Sequence, residues 1–160
     1  QIIRDGDDRR MTDRAGIISG ERREIGRPTI HCVGGGILRQ DMILLGLRSG
    51  WKSLAPNTWD IFGGHVEDGE SWEDTLIREL REELDITATL YEYITAFDEV
   101  DPERNGPRRY HIFRVDSWIG LGPRLCGDEH VDMRWMTLDD ALTVDLAAAE
   151  YPALFADIMA

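Results

Sequence analysis

Cysteine is scarce in this 160-residue sequence, and Cys32 and Cys126 do not make a disulfide framework. The sequence also lacks a secretory signal and any apolar run of membrane-spanning length. Basic residues are few, since 18 Lys and Arg against 31 Asp and Glu leave a formal net charge of −13. Such a surface repels nucleic-acid polymers and anionic membranes. We therefore expect a soluble cytoplasmic protein whose partner is a small molecule.

Apolar residues are not scarce, and they make up 42% of the chain, with five tryptophans among them. A chain of this length and composition suits one domain with a single core. Residues 1–27 are polar and rich in charge, which is typical of a peripheral N-terminal arm. The sequence therefore predicts an arm at 1–27 and a folded domain at 28–160.

Short β-rich runs occur on both sides of one strong amphipathic helix. Residues 29–48 predict a hairpin, in which three consecutive glycines at 34–36 indicate a bulge or a close approach of backbones. Ser71 and Asp74 have the spacing of a capping box at the start of the helix. Further helices are expected at 138–142 and over the last fifteen residues, from Leu146 onward, where Pro152 starts a new helix or kinks the old one. This order predicts an α/β (α+β) sandwich with a mixed sheet.

The central helix carries an unusual concentration of acids in the stretch RELREELDI, residues 78–86. Helical spacing places Glu79, Glu82 and Glu83 on one face, where each like-charged pair destabilises an isolated helix by roughly 0.2–0.5 kcal/mol. A solvated acidic face is one interpretation. The other is a site for Mg²⁺ or Mn²⁺, because hard carboxylate oxygens suit these ions and a cation would remove the repulsion.

The longer stretch GGHVEDGESWEDTLIRELREELDI resembles the signature of the Nudix hydrolases. That signature reads Gly, five residues, Glu, seven residues, and then Arg-Glu-apolar-x-Glu-Glu-x-Gly-apolar. Gly64 opens the match, Glu70 follows at the right spacing, and residues 78–86 complete it except at Asp85, which replaces glycine. The resemblance implies the Nudix α/β/α sandwich. The family glycine lies where a left-handed backbone is common, so we expect Asp85 to cost stability rather than catalysis.

The resemblance also implies a ligand set for the metal. Glu79, Glu82 and Glu83 correspond to the metal-binding and catalytic carboxylates, and the carbonyl of Gly63 or Gly64 is a further candidate ligand. Glu79 has an alternative role, which is to orient or deprotonate the attacking water. The four histidines of the chain lack the spacing of metal ligands, and none is assigned to a metal.

Other residues are assigned to supporting roles. Glu70 and Arg78 correspond to a structural pair that braces the loop against the helix. Glu129 lies in a late loop, where many Nudix enzymes supply a base or a further metal ligand, although a plain surface acid is an equal interpretation.

Three residues are candidates for contacting the substrate. Arg48 could meet a phosphate, Trp59 could stack on a base, and His65 lies inside the motif loop. The competing interpretations are a surface arginine for Arg48 and a core aromatic side chain for Trp59. The signature does not require a histidine at position 65.

The predicted activity is Mg²⁺-dependent cleavage of a phosphoanhydride bond in a nucleoside diphosphate linked to another group, including modified nucleoside triphosphates. The stretch NTWDIFGGHVEDGE resembles the Nudix branch that sanitises nucleoside triphosphates, although Phe62 stands where that branch often has proline. The alternative is a non-catalytic Nudix-fold domain that binds or senses a nucleotide. Such domains often lose the helix carboxylates, which this sequence keeps. The sequence leaves a homodimer open.

Overall fold

The computed structural model describes residues 28–99 and 106–160, so the predicted N-terminal arm lies outside the described residues. The elements in chain order are β1 (Ile30–Arg39), β2 (Met42–Arg48), β3 (Trp59–Asp60), β4 (Phe62–His65), α1 (Trp72–Leu84), β5 (Ile86–Asp98), β6 (Arg108–Gly120), β7 (His130–Thr137), α2 (Leu138–Ala141) and α3 (Tyr151–Ile158). In the described part of the chain, no helix is both long enough and apolar enough to cross a bilayer.

The strands form a seven-stranded mixed sheet, which confirms the predicted fold class. Its main path runs β3-β2-β1-β6-β5, with β4 paired to β1 and β7 paired to β2. Strands β1 and β6 are parallel, and the other pairs are antiparallel. The predicted hairpin pairs only next to its turn, at Leu38–Ile43 and Arg39–Met42, because β4 takes the first half of β1.

Two apolar clusters cover the two faces of the sheet and give the α/β/α sandwich. On one face, Leu76, Leu80 and Leu84 of α1 pack in a cluster that includes Phe113. On the other face, Phe155 of α3 packs in a cluster that includes further residues of β2 and β6. The stripe predicted along α1 is therefore the stripe that the helix buries.

The glycines of β1 permit close packing and do not mark a bulge. Strand β1 keeps an unbroken register with β6 from Ile30 to Ile37. A Cβ on Gly34 would lie 2.6 Å from Ile61 Cδ1, and a Cβ on Gly36 would lie 2.6 Å from Ile158 Cδ1. Of the two alternatives that the sequence left open, the structure therefore supports the close approach.

Only the second part of the predicted C-terminal helical segment is helical. The helix begins at Tyr151, with Pro152 in its first turn, which agrees with the alternative that Pro152 starts a new helix. Before it, the chain runs beside β3, because the backbone of Trp59 bonds to Asp145 O at 2.8 Å and to Ala147 N at 2.9 Å. Pairing with β3 therefore replaces the helix that local composition predicts for residues 146–150.

Both ends of α1 agree with their sequence signals. Ser71 Oγ accepts a hydrogen bond from Asp74 N at 3.1 Å, and Asp74 Oδ2 accepts one from Ser71 N at 3.3 Å. These two bonds form the predicted capping box. At the other end, Asp85 has φ 56° and ψ 39°, which is the left-handed conformation expected at the position of the family glycine.

A first prediction concerns the left-handed backbone of Asp85. The exposed Asp85 side chain also pairs with Arg124 Nε at 3.0 Å, so a fair comparison uses two variants that both lose this pair. We expect Asp85→Gly to have a free energy of unfolding about 1 kcal/mol higher than Asp85→Ala, since only glycine removes the Cβ penalty. Chemical denaturation measures this difference. Equal stabilities would refute the backbone penalty, and a large change in metal affinity without a change in stability would assign Asp85 to the functional site.

Candidate active site

The motif loop meets α1 at two glycines whose small size is required. A Cβ on Gly63 would collide with the carbonyl oxygen of Val33 on the neighbouring strand β1. A Cβ on Gly64 would collide with Glu79 Oε1 on the helix. The structure therefore brings Gly64 and Glu79, both predicted as metal ligands, directly together.

Arg78 joins the motif loop to the helix. Its Nε donates to Glu70 Oε2 at 2.8 Å, and its Nη2 donates to Glu70 Oε1 and to His65 O, each at 2.9 Å. This bidentate geometry is the strong form of an arginine–carboxylate pair. The hydrogen bonds from Arg78 lower the pKa of Glu70 to about 2. The two residues predicted to brace the loop thus lie in direct contact.

The same arginine also contacts two of the helix carboxylates. Arg78 Nη1 lies 2.9 Å from Glu79 Oε1 and 3.3 Å from Glu82 Oε2. Helical spacing alone pairs Arg78 with Glu82 but not with Glu79. Glu82 is 60% exposed, so its ion pair adds little to stability.

Glu83 is the most unusual acid of the site. Its side chain is only 8% exposed, and neither carboxylate oxygen has a hydrogen-bond partner among the described residues. Burial raises the pKa of Glu83 well above its usual value, and the negative charge of neighbouring Glu79 raises it further. Leaving a buried polar group unpaired costs on the order of 1–3 kcal/mol, and more for a charged group. The protein therefore keeps an expensive, unsatisfied carboxylate at this position.

His130 is a potential donor beside Glu83, and no role was predicted for it from the sequence. Its Nδ1 lies 3.7 Å from Glu83 Oε2, and its side chain is 8% exposed. Burial, followed by the positive charge of Arg48, lowers the pKa of His130 to about 4. The imidazole is therefore neutral near pH 7. No sequence spacing predicts the contact between His130 and the helix, because it depends on the pairing of β7 with β2 in the sheet.

Glu129 precedes β7 and lies near the helix acids. Its charge is one of the causes that raise the pKa of Glu83. Its side chain is half exposed and forms a salt bridge with Lys52, with Nζ 3.2 Å from Oε1. The backbone fixes this loop to the β2–β3 connection, since Ser49 N donates to Glu129 O at 2.9 Å. The structure thus places a solvent-accessible carboxylate at the edge of the acidic cluster.

Asp60 is the second residue of the site that the sequence analysis missed. Its side chain is 17% exposed, it accepts a hydrogen bond from Tyr151 Oη, and Arg48 Nη1 lies 3.2 Å away. Burial raises the pKa of Asp60, although both partners act in the opposite direction. Arg48 also donates to Leu54 O through Nε and Nη2, at 3.1 and 2.9 Å. Arg48 therefore holds the β2–β3 loop to Asp60, and its contact with a phosphate stays a prediction.

The other two predicted substrate contacts lie in different surroundings. Trp59 is 9% exposed and packs in the α3-side core, with the Arg134 guanidinium 5.4 Å from its ring centroid. That position matches the core interpretation, and stacking of Trp59 on a base stays a prediction. His65 is exposed, and its Nε2 lies 3.4 Å from Arg108 Nη1 on the β1–β6 side of the motif loop.

The site as a whole is a carboxylate cluster on one helix, supported by glycine backbone and by one arginine. Within the part of the chain that the structure describes, no three His, Cys, Asp or Glu side chains converge into a complete metal site. Glu79 and Glu83 lie close together, while Glu82 faces solvent beside Arg78. Carboxylates in this arrangement can supply part of the shell of a hard divalent cation.

Comparison with known proteins gives a consistent result. The chain is 36% identical over 126 residues to the CTP pyrophosphohydrolase of Escherichia coli K12, covering 78% of this chain and 88% of that protein. The solution structure of the E. coli ORF135 protein superposes with a TM-score of 0.68 at 31% identity, covering 84% and 91% of the two chains. A MutT NUDIX hydrolase from Burkholderia pseudomallei has the same fold, with a TM-score of 0.72 at 22% identity over 83% and 99%.

The family comparison covers almost all of the described domain. The family model described as NUDIX domain matches residues 31–157, which extend from β1 to α3. Relatives over this region are named as hydrolases of nucleotides. Together with the motif and the α/β/α sandwich, this match shows that the chain belongs to the Nudix hydrolase family.

Proposed function

We propose that this protein hydrolyses a phosphoanhydride bond of a nucleoside triphosphate, or of another nucleoside diphosphate derivative, with Mg²⁺ or Mn²⁺ as cofactor. The observation that carries the proposal is the buried Glu83 carboxylate, which has no hydrogen-bond partner among the described residues and lies beside Glu79. Such a group is costly unless a ligand completes it. The similarity to a CTP pyrophosphohydrolase makes CTP the first substrate to test.

The donor set fits a hard divalent cation. Glu79, Glu82, Glu83 and the carbonyl of Gly64 offer oxygen atoms only, which is the ligand type that Mg²⁺ and Mn²⁺ prefer. The absence of a Cβ at Gly64 keeps the approach to Glu79 open. When bound, such a cation supplies charge neutralisation on the phosphates and a water of lowered pKa.

Residues of the protein position the metal ligands and supply the general base. Arg78 and Glu70 hold the motif loop against α1, so that Gly64 and Glu79 keep their separation. Glu129 is exposed and adjacent to the acidic cluster, which suits a base that accepts a proton from the attacking water. In the free protein, Lys52 holds the Glu129 carboxylate in place.

The first test of function is a substrate panel. Purified protein is incubated with CTP, the other nucleoside triphosphates, oxidised triphosphates and ADP-ribose, with Mg²⁺ or with excess chelator. We expect Mg²⁺-dependent turnover, with the nucleoside monophosphate as one product, resolved by anion-exchange chromatography. A folded sample that turns over no member of the panel, yet binds nucleotide in a calorimeter, would instead support the non-catalytic binding domain.

A second prediction concerns Glu83 in the metal-free protein. Native Glu83 retains its proton at a pH where the unfolded residue has lost it, because its pKa is raised. The contribution of this group to stability is therefore largest below its unfolded pKa of about 4.5 and is lost as the pH rises toward its native pKa. We expect Glu83→Gln to lower turnover at least 100-fold, and in chelator to melt above wild type by a margin that grows with pH.

Thermal melts in chelator between pH 5 and 8 measure this margin. The matched control is Glu82→Gln, which neutralises an exposed acid of the same helix and should follow the wild-type pH dependence. A Glu83→Gln variant whose melting temperature runs parallel to wild type across this range would contradict the proposed state of Glu83.

A third prediction separates catalysis from binding at Glu129. If Glu129 is the base, Glu129→Gln should lower kcat by about 10²–10⁴-fold and leave KM within a few-fold of wild type. Asp128→Asn, a change of the adjacent exposed acid, is the control and should leave kcat nearly unchanged. Steady-state kinetics on the best substrate of the panel decide the point, and an unaltered kcat in Glu129→Gln would eliminate this role.

A further inference from the structure

A β-bulge places His130 beside the acidic helix. Leu47 of β2 pairs with Asp132 and Arg48 pairs with His130, so Val131 is an extra residue in β7. Side chains alternate between faces along a regular strand, and a bulge changes that alternation. Met133, on β7, packs with the α1-side cluster, so regular alternation would turn Val131 toward α1. Instead Val131 is 64% exposed, and His130 faces the helix.

The ring of His130 packs against Phe62 and against the backbone of β2. The centroid of the Phe62 ring lies 4.8 Å from the imidazole centroid. On another side, a Cβ on Gly46 would lie 2.7 Å from His130 Cδ2, so the backbone of β2 touches the ring. These contacts restrict the ring, whose Nδ1 lies 3.7 Å from Glu83 Oε2.

The separation of 3.7 Å is too long for a hydrogen bond but needs little movement to become one. A bond of about 2.9 Å requires a shift of only roughly 0.8 Å. Neither Glu83 oxygen has a partner of hydrogen-bond geometry among the described residues, so both remain available to a donor or a ligand. A neutral imidazole has one N–H to donate and adds no positive charge that would compete with a cation.

We propose that His130 is a positioning residue, whose Nδ1–H holds Glu83 Oε2 so that Glu83 Oε1 faces the metal. The inference rests on the proposed function, because it assigns Glu83 to a divalent cation. Hydrogen-bond partners of this kind orient metal-ligating carboxylates in other proteins, and their loss typically costs 10–100-fold in metal affinity. The bulge at Val131 would then serve this role, because it turns the His130 side chain toward the helix.

Two substitutions of nearly equal shape test the proposal. His130→Asn keeps an N–H donor near the position of Nδ1, and His130→Leu fills the same space without one. The readout is the Kd of Mn²⁺ alone, measured calorimetrically without nucleotide. We expect His130→Leu to weaken Mn²⁺ binding 10–100-fold and His130→Asn to stay within about fivefold of wild type. Equal affinities for both variants, whether normal or equally reduced, would overturn the proposal.

Controls separate this inference from the proposed function. Glu83→Gln should weaken Mn²⁺ binding whatever His130 does. Wild-type protein that binds no Mn²⁺, or a folded Glu83→Gln variant with normal affinity, would refute the metal site itself. Normal affinity in His130→Leu together with reduced affinity in Glu83→Gln would refute the positioning role alone.

A second measurement covers the case in which His130→Leu does not fold. The imidazole ¹⁵N shifts of wild-type protein in saturating Mg²⁺ report which ring nitrogen carries the proton. We expect the Nδ1–H form, because only that tautomer donates toward Glu83. A His130 ring protonated at Nε2 alone would overturn the proposal without any substitution.

Discussion

The guanidinium of Arg78 is the interaction on which the geometry of the site depends. One side chain from the middle of α1 bonds to Glu70, to the carbonyl of His65 and to Glu79. The motif loop is fixed at His65 and at Glu70. Gly64, which lies next to His65, therefore stays in close contact with Glu79 of the helix. Arginine suits this task because its planar fork offers five donors in fixed directions, which a lysine ammonium cannot reproduce.

The acidic helix illustrates a conflict between stability and function. The apolar stripe of α1 packs into the core, and the acids that repel one another lie beside this stripe. Arg78 relieves Glu79 and Glu82, but Glu83 is buried without a partner among the described residues. Local rules that are broken in an otherwise consistent sequence are expected at functional positions.

The features predicted correctly from the sequence are those set by neighbouring residues. The cap at Ser71, the end of α1 at Asp85 and the contact between Glu70 and Arg78 all arise within one short segment. Pairing of strands determines the features that were missed. Asp60 meets Tyr151 across 91 positions of sequence, and His130 reaches the helix only because β7 joins β2. The periodicity of side chains along one helix or strand does not predict such contacts, because it does not show which other element packs against it.

The bulge in β7 makes the site unusually sensitive to the pairing of this strand. Surface loops tolerate insertions and deletions well, and the segment before β7 is such a loop. Within β7 the situation differs, because the same residues in a regular ladder would place Val131 opposite Arg48 and turn it toward α1. His130 would then face away from Glu83, and Glu129 would move with it. Natural length variation in this part of the domain should therefore stop at Glu129, one residue before the strand begins.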